Sequence, residues 1–113
     1  MSLKDKSCTA LPDGSPALDD GTANNLLREI PAWAGAATAS GQPRQLRRTF
    51  QFKDFLGAMA FLNRLASLAE AEQHHPDFCV HYNKVDVTLW THSVGGLSEN
   101  DFIVAAKLDD LFA

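Results

Sequence analysis

At Asp54 the hydrophobic pattern of this chain changes period, and that change limits what the chain can fold into more than any other feature. Before it, Leu46, Arg48, Phe50 and Phe52 share one face and Arg47, Thr49 and Gln51 the other, the alternation of a β-strand. After it, Phe55, Met59, Leu62, Ala66 and Ala69 fall at spacings of three and four, with Phe61, Leu65 and Leu68 widening the stripe into the face of an amphipathic helix. A strand running into a long one-sided helix calls for a layer of helix over sheet. The helix is predicted to end near Gln73, where His74, His75 and Pro76 break it, because proline disfavours helical geometry at the residue before it.

The flanking segments extend this reading to an α+β domain. Residues 1 to about 18 mix Ser, Thr, Asp, Gly and Pro without periodicity and are expected to be a flexible leader, with the single domain over 19–113. Asp19 and Asp20 offer N-caps for a short helix whose Leu26, Leu27 and Ile30 share a face, and Pro31 ends it. Trp33 follows in a connection or strand, and Gly35 to Gln42 has the composition of a loop. Downstream, Phe78, Val80 and Tyr82 alternate with Cys79, His81 and Asn83, then Val85, Val87 and Leu89 alternate with Asp86, Thr88 and Trp90, giving two antiparallel strands. Gly95-Gly96 closes the second, and Ser98-x-x-Asp101 has the form of a capping box for a last helix to about Leu111, with Asp101 read as a cap rather than a catalytic acid. The expected order is α-β-β-α-β-β-α, a four-stranded antiparallel sheet with helices packed on one face.

Several function classes are disfavoured. A net charge of -4 argues against a nucleic-acid groove, which needs a clustered basic surface. No apolar stretch approaches the ~20 residues of a membrane span, and the N-terminus lacks the hydrophobic run of a signal peptide. Cys8 and Cys79 form neither a CxxC motif nor a disulfide framework, which fits free thiols in a reducing, cytoplasmic compartment.

Three of the four histidines, His74, His75 and His92, stand at two points able to meet in space: two just past a helix end, the third leaving the polar face of a strand. Imidazole titrates near neutrality, so the cluster suggests proton transfer or metal binding, against the plainer reading of three surface histidines. Glu70, about one turn before His74, is placed to orient an imidazole. For a zinc site the spacing is poor, since adjacent side chains in an extended loop diverge and neither H-x-H nor H-x-x-x-H is present. In metal-free acid–base catalysis one ring donates a proton to a leaving hydroxyl while another collects one, each transfer contributing ~10²- to 10⁴-fold. No nucleophile motif, phosphate loop or dinucleotide fingerprint competes.

The run Glu70-x-x-x-His74-His75-Pro76, the element Tyr82-Asn83-Lys84-Val85, Thr88-Leu89-x-Thr91-His92 and Gly96-Leu97-Ser98 together resemble the pterin-4a-carbinolamine dehydratases, as does Phe50-x-Phe52-Lys53-Asp54-Phe55 at the start of the long helix. The resemblance covers roughly residues 26 to 111. It implies four antiparallel strands with helices on one face, assembly into homodimers or homotetramers, and conversion of 4a-hydroxytetrahydrobiopterin to quinonoid dihydrobiopterin plus water, with no metal or organic cofactor. By position it implies that His74, His75 and His92 are catalytic with Glu70 in support. Gln73, Trp90, Thr91 and Ser93 would line the substrate pocket, and Trp33 matches a family tryptophan near the pterin; Trp90 stands where a smaller residue is expected. The rival function is a non-catalytic module that stabilises dimers of a transcription factor, in which case a nuclear location is open to the protein as well as a cytoplasmic one.

Overall fold

The computed structural model describes residues 2–35 and 44–113, so of the loop expected over Gly35 to Gln42 only Gly35 falls among the described residues. The chain forms helix α1 (Asp20–Leu27), strand β1 (Leu46–Gln51), helix α2 (Phe55–Glu72), strands β2 (Asp77–His81) and β3 (Lys84–Leu89), and helix α3 (Glu99–Phe112). Short 3-10 turns at Leu3–Asp5 and His92–Val94 complete it. The sheet is antiparallel in the order β1-β3-β2, with Phe50 opposite Val85 and Phe78 opposite Val87.

Alternation explains which face is buried. Leu46, Phe50, Val85, Val87 and Leu89 point into one core with Phe61, Leu62 and Leu65 of α2 and Phe102, Ile103, Val104 and Leu108 of α3. Each such side chain contributes about 1.5–3 kcal/mol when fully removed from water. Phe50 is the hub, with ring centroids 4.7 Å from Phe61, 5.1 Å from Phe112 and 5.9 Å from Trp33. Arg48 shares this face without leaving a bare charge: its guanidinium lies 4.3 Å over the Phe50 ring and pairs with Asp109. Asp54 caps α2, its side chain accepting from Gly57 N–H at 2.8 Å, which is why the period changes there.

The expected fourth strand is not found among the described residues, and the order is α-β-α-β-β-α rather than α-β-β-α-β-β-α. What stands in its place is one bridge, Ala34 to Arg47, closed by two backbone hydrogen bonds of 2.8 Å. Pro31 has no N–H to lengthen the ladder upstream, and the chain turns at Pro31–Ala32. At Gly35 a Cβ would sit 2.9 Å from the Leu27 methyls and 3.1 Å from Leu46, so the chain crosses there too closely for a side chain to alternate.

Residues 2–18, expected as a leader, carry little regular structure yet run against the domain. Leu3 is buried in the core, and the backbone N–H groups of Cys8, Thr9, Gly14 and Leu18 donate to Glu72, Asn100, Ser93 and Leu97.

Candidate active site

Three pieces of backbone meet where α2 ends. Gln73 adopts the left-handed conformation (φ 53°, ψ 38°), uncommon for a side chain other than glycine or asparagine, and so terminates α2. His74 N–H then returns to the Ala69 carbonyl at 3.2 Å, and the Gln73 amide donates to the Glu70 carbonyl at 2.7 Å, fixing the direction in which His74 and His75 leave the helix. Opposite them, β3 runs out into Thr91 and the turn His92–Val94, closed by the left-handed Gly95. Between them lies a groove of about 400 Å³ lined by Gln73, His74, His75, Pro76, Asp77, Trp90, Thr91, His92 and Ser93. Larger depressions exist, about 510 Å³ beside Arg47 and Asp86 and about 560 Å³ beside Leu68 and Leu111. Volume does not single out the site; the convergence of three imidazoles does.

The histidines have unequal surroundings. His74 is largely buried, and its Nε2 lies 2.6 Å from Oδ1 of Asp101, a residue with no exposed surface. The other oxygen, Oδ2, accepts from Ser98 N–H at 2.9 Å and from the Thr91 hydroxyl at 2.8 Å, with Ser98 Oγ a further 2.7 Å from Thr91 Oγ1. A carboxylate surrounded by donors fixes the hydrogen of His74 on Nε2 and leaves Nδ1 free to exchange a proton. His75 pairs with Glu70, but both are more than half exposed, so that contact is worth at most about 1 kcal/mol. His92 packs its ring face against Trp90, centroids 3.8 Å apart and planes inclined by 32°.

Of the residues expected at the site, Gln73, His74, His75, Trp90, Thr91, His92 and Ser93 share the groove. Glu70 stands behind it and engages His75 rather than His74, because the left-handed turn at Gln73 swings the chain before an i,i+4 contact can form. Trp33 is not among the residues lining the groove: its indole is buried beside Phe50 and its N–H donates to Asp109 at 2.8 Å. Thr91 is buried, and its hydroxyl serves Asp101. Asp101 closes the predicted capping box and is also the partner of His74, a role that the cap motif does not disclose. A hint lies in its neighbours, since Phe102-Ile103-Val104-Ala105 is apolar on every side of a helix and places the preceding acid against the core. Among the described residues no three His, Cys, Asp or Glu side chains are grouped to hold a metal ion.

Fold and groove together define a small α+β protein that gathers three histidines at one open cleft. The family model for pterin 4 alpha carbinolamine dehydratase matches residues 16–111, and the chain belongs to that family. Relatives bearing the name pterin-4-alpha-carbinolamine dehydratase include one from Marinobacter nauticus, 42% identical over 97% of both chains, and one from Halorhodospira halophila, 42% identical over the whole of both. A third, from Chlorobium luteolum, is 44% identical over 97% of this chain and 95% of its own. Among solved structures, a transcriptional coactivator/pterin dehydratase from Brucella melitensis superposes with a TM-score of 0.77 at 36% identity, covering 86% of this chain and 99% of its own. A pterin dehydratase-like protein described as a RuBisCO assembly factor in the alpha-carboxysome superposes at 0.61 with 26% identity, covering 73% of this chain and 90% of its own. The protein is an enzyme with pterin-4a-carbinolamine dehydratase activity, consistent with tetrahydrobiopterin recycling.

Proposed function

We propose that the groove between Gln73–Asp77 and Trp90–Ser93 binds 4a-hydroxytetrahydrobiopterin and that His74, His75 and His92 move the two protons of its dehydration. The reaction breaks the C4a–O bond, removes the proton from N5 and forms the C4a=N5 double bond; water leaves and no electron is exchanged with a second reactant. His74 or His75 protonates the departing hydroxyl, according to the face of the pterin that carries it, while His92 binds the ring and assists loss of the N5 proton. Glu70 supports His75, and Trp90 holds the His92 ring. The observation that carries this reading is the buried His74–Asp101 pair opening on the same groove as His75 and His92. One imidazole is thereby set in a defined tautomer beside two that are less constrained, an arrangement suited to a donor and an acceptor of different character. The test is a stopped-flow assay of quinonoid dihydropterin formation from enzymatically generated carbinolamine, with His74→Ala, His75→Ala and His92→Ala. Each variant is expected to lose rate, His74→Ala most for one epimer of the 4a-carbon; equal rates for all four proteins refute the assignment.

A homodimer or homotetramer is part of the same proposal. Among the described residues β2 is a sheet edge with Phe78 about half exposed, a row of unpaired backbone groups beside apolar surface that a second copy would cover. So is a cytoplasmic location, which the two free thiols Cys8 and Cys79 support. No helix among the described residues is long and apolar enough to cross a membrane. A coactivator role, stabilising dimers of a transcription factor, is the second reading, favoured by the likeness to the transcriptional coactivator/pterin dehydratase of Brucella melitensis. Light scattering of the protein alone and with such a partner separates the two: a mixed complex supports the second role, and self-assembly alone does not.

A further inference from the structure

Residues 8–18 are joined to the domain by hydrogen bonds whose other ends each lie within two residues of His74, His92 or the Ser98–Asp101 cap. Cys8 N–H donates to Glu72 Oε1 at 2.8 Å, and Glu72 lies two residues before His74. Thr9 N–H donates to Asn100 Oδ1 at 3.0 Å while the Asn100 amide donates back to the Thr9 carbonyl at 2.8 Å, and Asn100 immediately precedes Asp101. Gly14 N–H donates to the carbonyl of Ser93, the neighbour of His92, at 3.0 Å, and Leu18 N–H to that of Leu97, next to Ser98, at 2.9 Å. Glu72 is itself a junction, its Oε2 accepting from Lys107 of α3 at 2.6 Å with both side chains mostly buried. One stretch of chain thus ties together the end of α2, the turn carrying His92 and the first turn of α3.

We infer that residues 8–18 form a strap that sets the mutual placement of His74, His92 and Asp101, with Asn100 as the positioning residue that couples it to Asp101. The inference rests on the groove being the site of dehydration. Asn100 is 7% exposed and its amide group bonds both backbone groups of Thr9, so the rotation of the first turn of α3, and with it the Asp101 carboxylate, is referenced to the strap. A contact of 2.6 Å between Asp101 and His74 tolerates little drift, and misplacement by 1 Å costs as much as ~10²-fold in rate.

Cys8 reports on the strap. Its thiol packs 3.7 Å from the Asn100 carbonyl, and burial, reinforced by Glu72, pushes its pKa up to about 12, so little of it is thiolate and it attacks disulfide reagents slowly. Cys79 is exposed and serves as the internal reference.

The experiment uses the full chain with Asn100→Ala, and with Leu108→Ala as a control that loosens the core of α3 away from the strap. With an aromatic disulfide reagent, Cys8 of Asn100→Ala should react faster while Cys79 keeps its rate. Turnover of carbinolamine should fall about tenfold in kcat with KM changed less than about twofold, the pattern of a misplaced catalytic group rather than a lost binding contact. The His74 Nε2 proton resonance should shift. Leu108→Ala should keep kcat near wild type while it stays folded. A folded Asn100→Ala protein with kcat within about twofold of wild type overturns the inference, whatever Cys8 does, as does an equal loss in Leu108→Ala. If Asn100→Ala does not fold, Thr9→Pro removes the strap N–H that bonds Asn100 without changing any residue of α3 and is read by the same criteria. Failure of the strap appears as His74-dependent turnover indifferent to these variants; failure of the underlying reading appears as turnover indifferent to His74→Ala itself.

Discussion

Asp101→Asn separates the two roles of the buried carboxylate. Asn has the shape of Asp, so its carbonyl oxygen can occupy the Oδ2 position and still accept from Ser98 N–H and the Thr91 hydroxyl. Its NH₂ group then faces His74 Nε2, where the native carboxylate accepts a hydrogen. Two donors cannot meet there, so His74 must give up the Nε2 hydrogen and carry it on Nδ1, the nitrogen assigned to proton exchange. A hydrogen bond to a charged group, worth about 1.5–3 kcal/mol, becomes a neutral one worth about 0.5–1.5, a net loss of roughly 1–2 kcal/mol. Against a typical stability of about 5–15 kcal/mol the variant stays folded. Activity should suffer more: one proton transfer contributes ~10²- to 10⁴-fold, and with His75 and His92 intact the lower end, about 10²-fold, is expected. Stopped-flow formation of quinonoid dihydropterin gives the rate, and urea unfolding monitored by circular dichroism gives the stability. A folded Asp101→Asn protein with kcat within about twofold of wild type would refute the claim that Asp101 sets the tautomer of His74.

Two further outcomes follow from the surroundings of named residues. The Cys8 backbone N–H, then Lys107, hold the Glu72 carboxyl below its ordinary value of 4.5, so its contribution to stability is complete above that value and is lost as pH falls through the depressed one; Glu72→Gln should flatten the acid limb of urea-unfolding stability below that ordinary value, and an unchanged slope would contradict the bond. Removing the ring against His92 by Trp90→Ala should lower kcat/KM up to about tenfold, the equivalent of an aromatic contact of about 0.5–1.5 kcal/mol, while Trp90→Phe retains most of the activity; equal kinetics for Ala and Phe would show that the stack does nothing.

The elements legible in the sequence are those whose periodicity is long and local. α2 begins at the Asp54 cap where the period changes, and the register of β1 against β3 buries Phe50 and Val85 as alternation predicts. A fourth strand is expected but not found among the described residues, where the stretch around Trp33 forms a single bridged pair, and a one-pair ladder has no periodic signature. Family resemblance places Trp33 at the pterin, but its indole N–H finds Asp109, 76 residues away, a partner no local pattern reveals. The groove itself is legible as histidines at a helix end and a strand end. Its wiring is not: the Glu70 contact depends on the left-handed residue at Gln73, and the His74–Asp101 pair joins positions 27 residues apart through the packing of α3 against α2.

The most direct test of the central claim is the turnover of carbinolamine by the triple variant His74→Ala, His75→Ala, His92→Ala, shown by circular dichroism to be folded and compared with buffer alone. If the three imidazoles carry both proton transfers, dehydration in the presence of the triple variant proceeds at the uncatalysed rate. Acceleration comparable to that of the wild-type enzyme would contradict the assignment and move the chemistry to other residues.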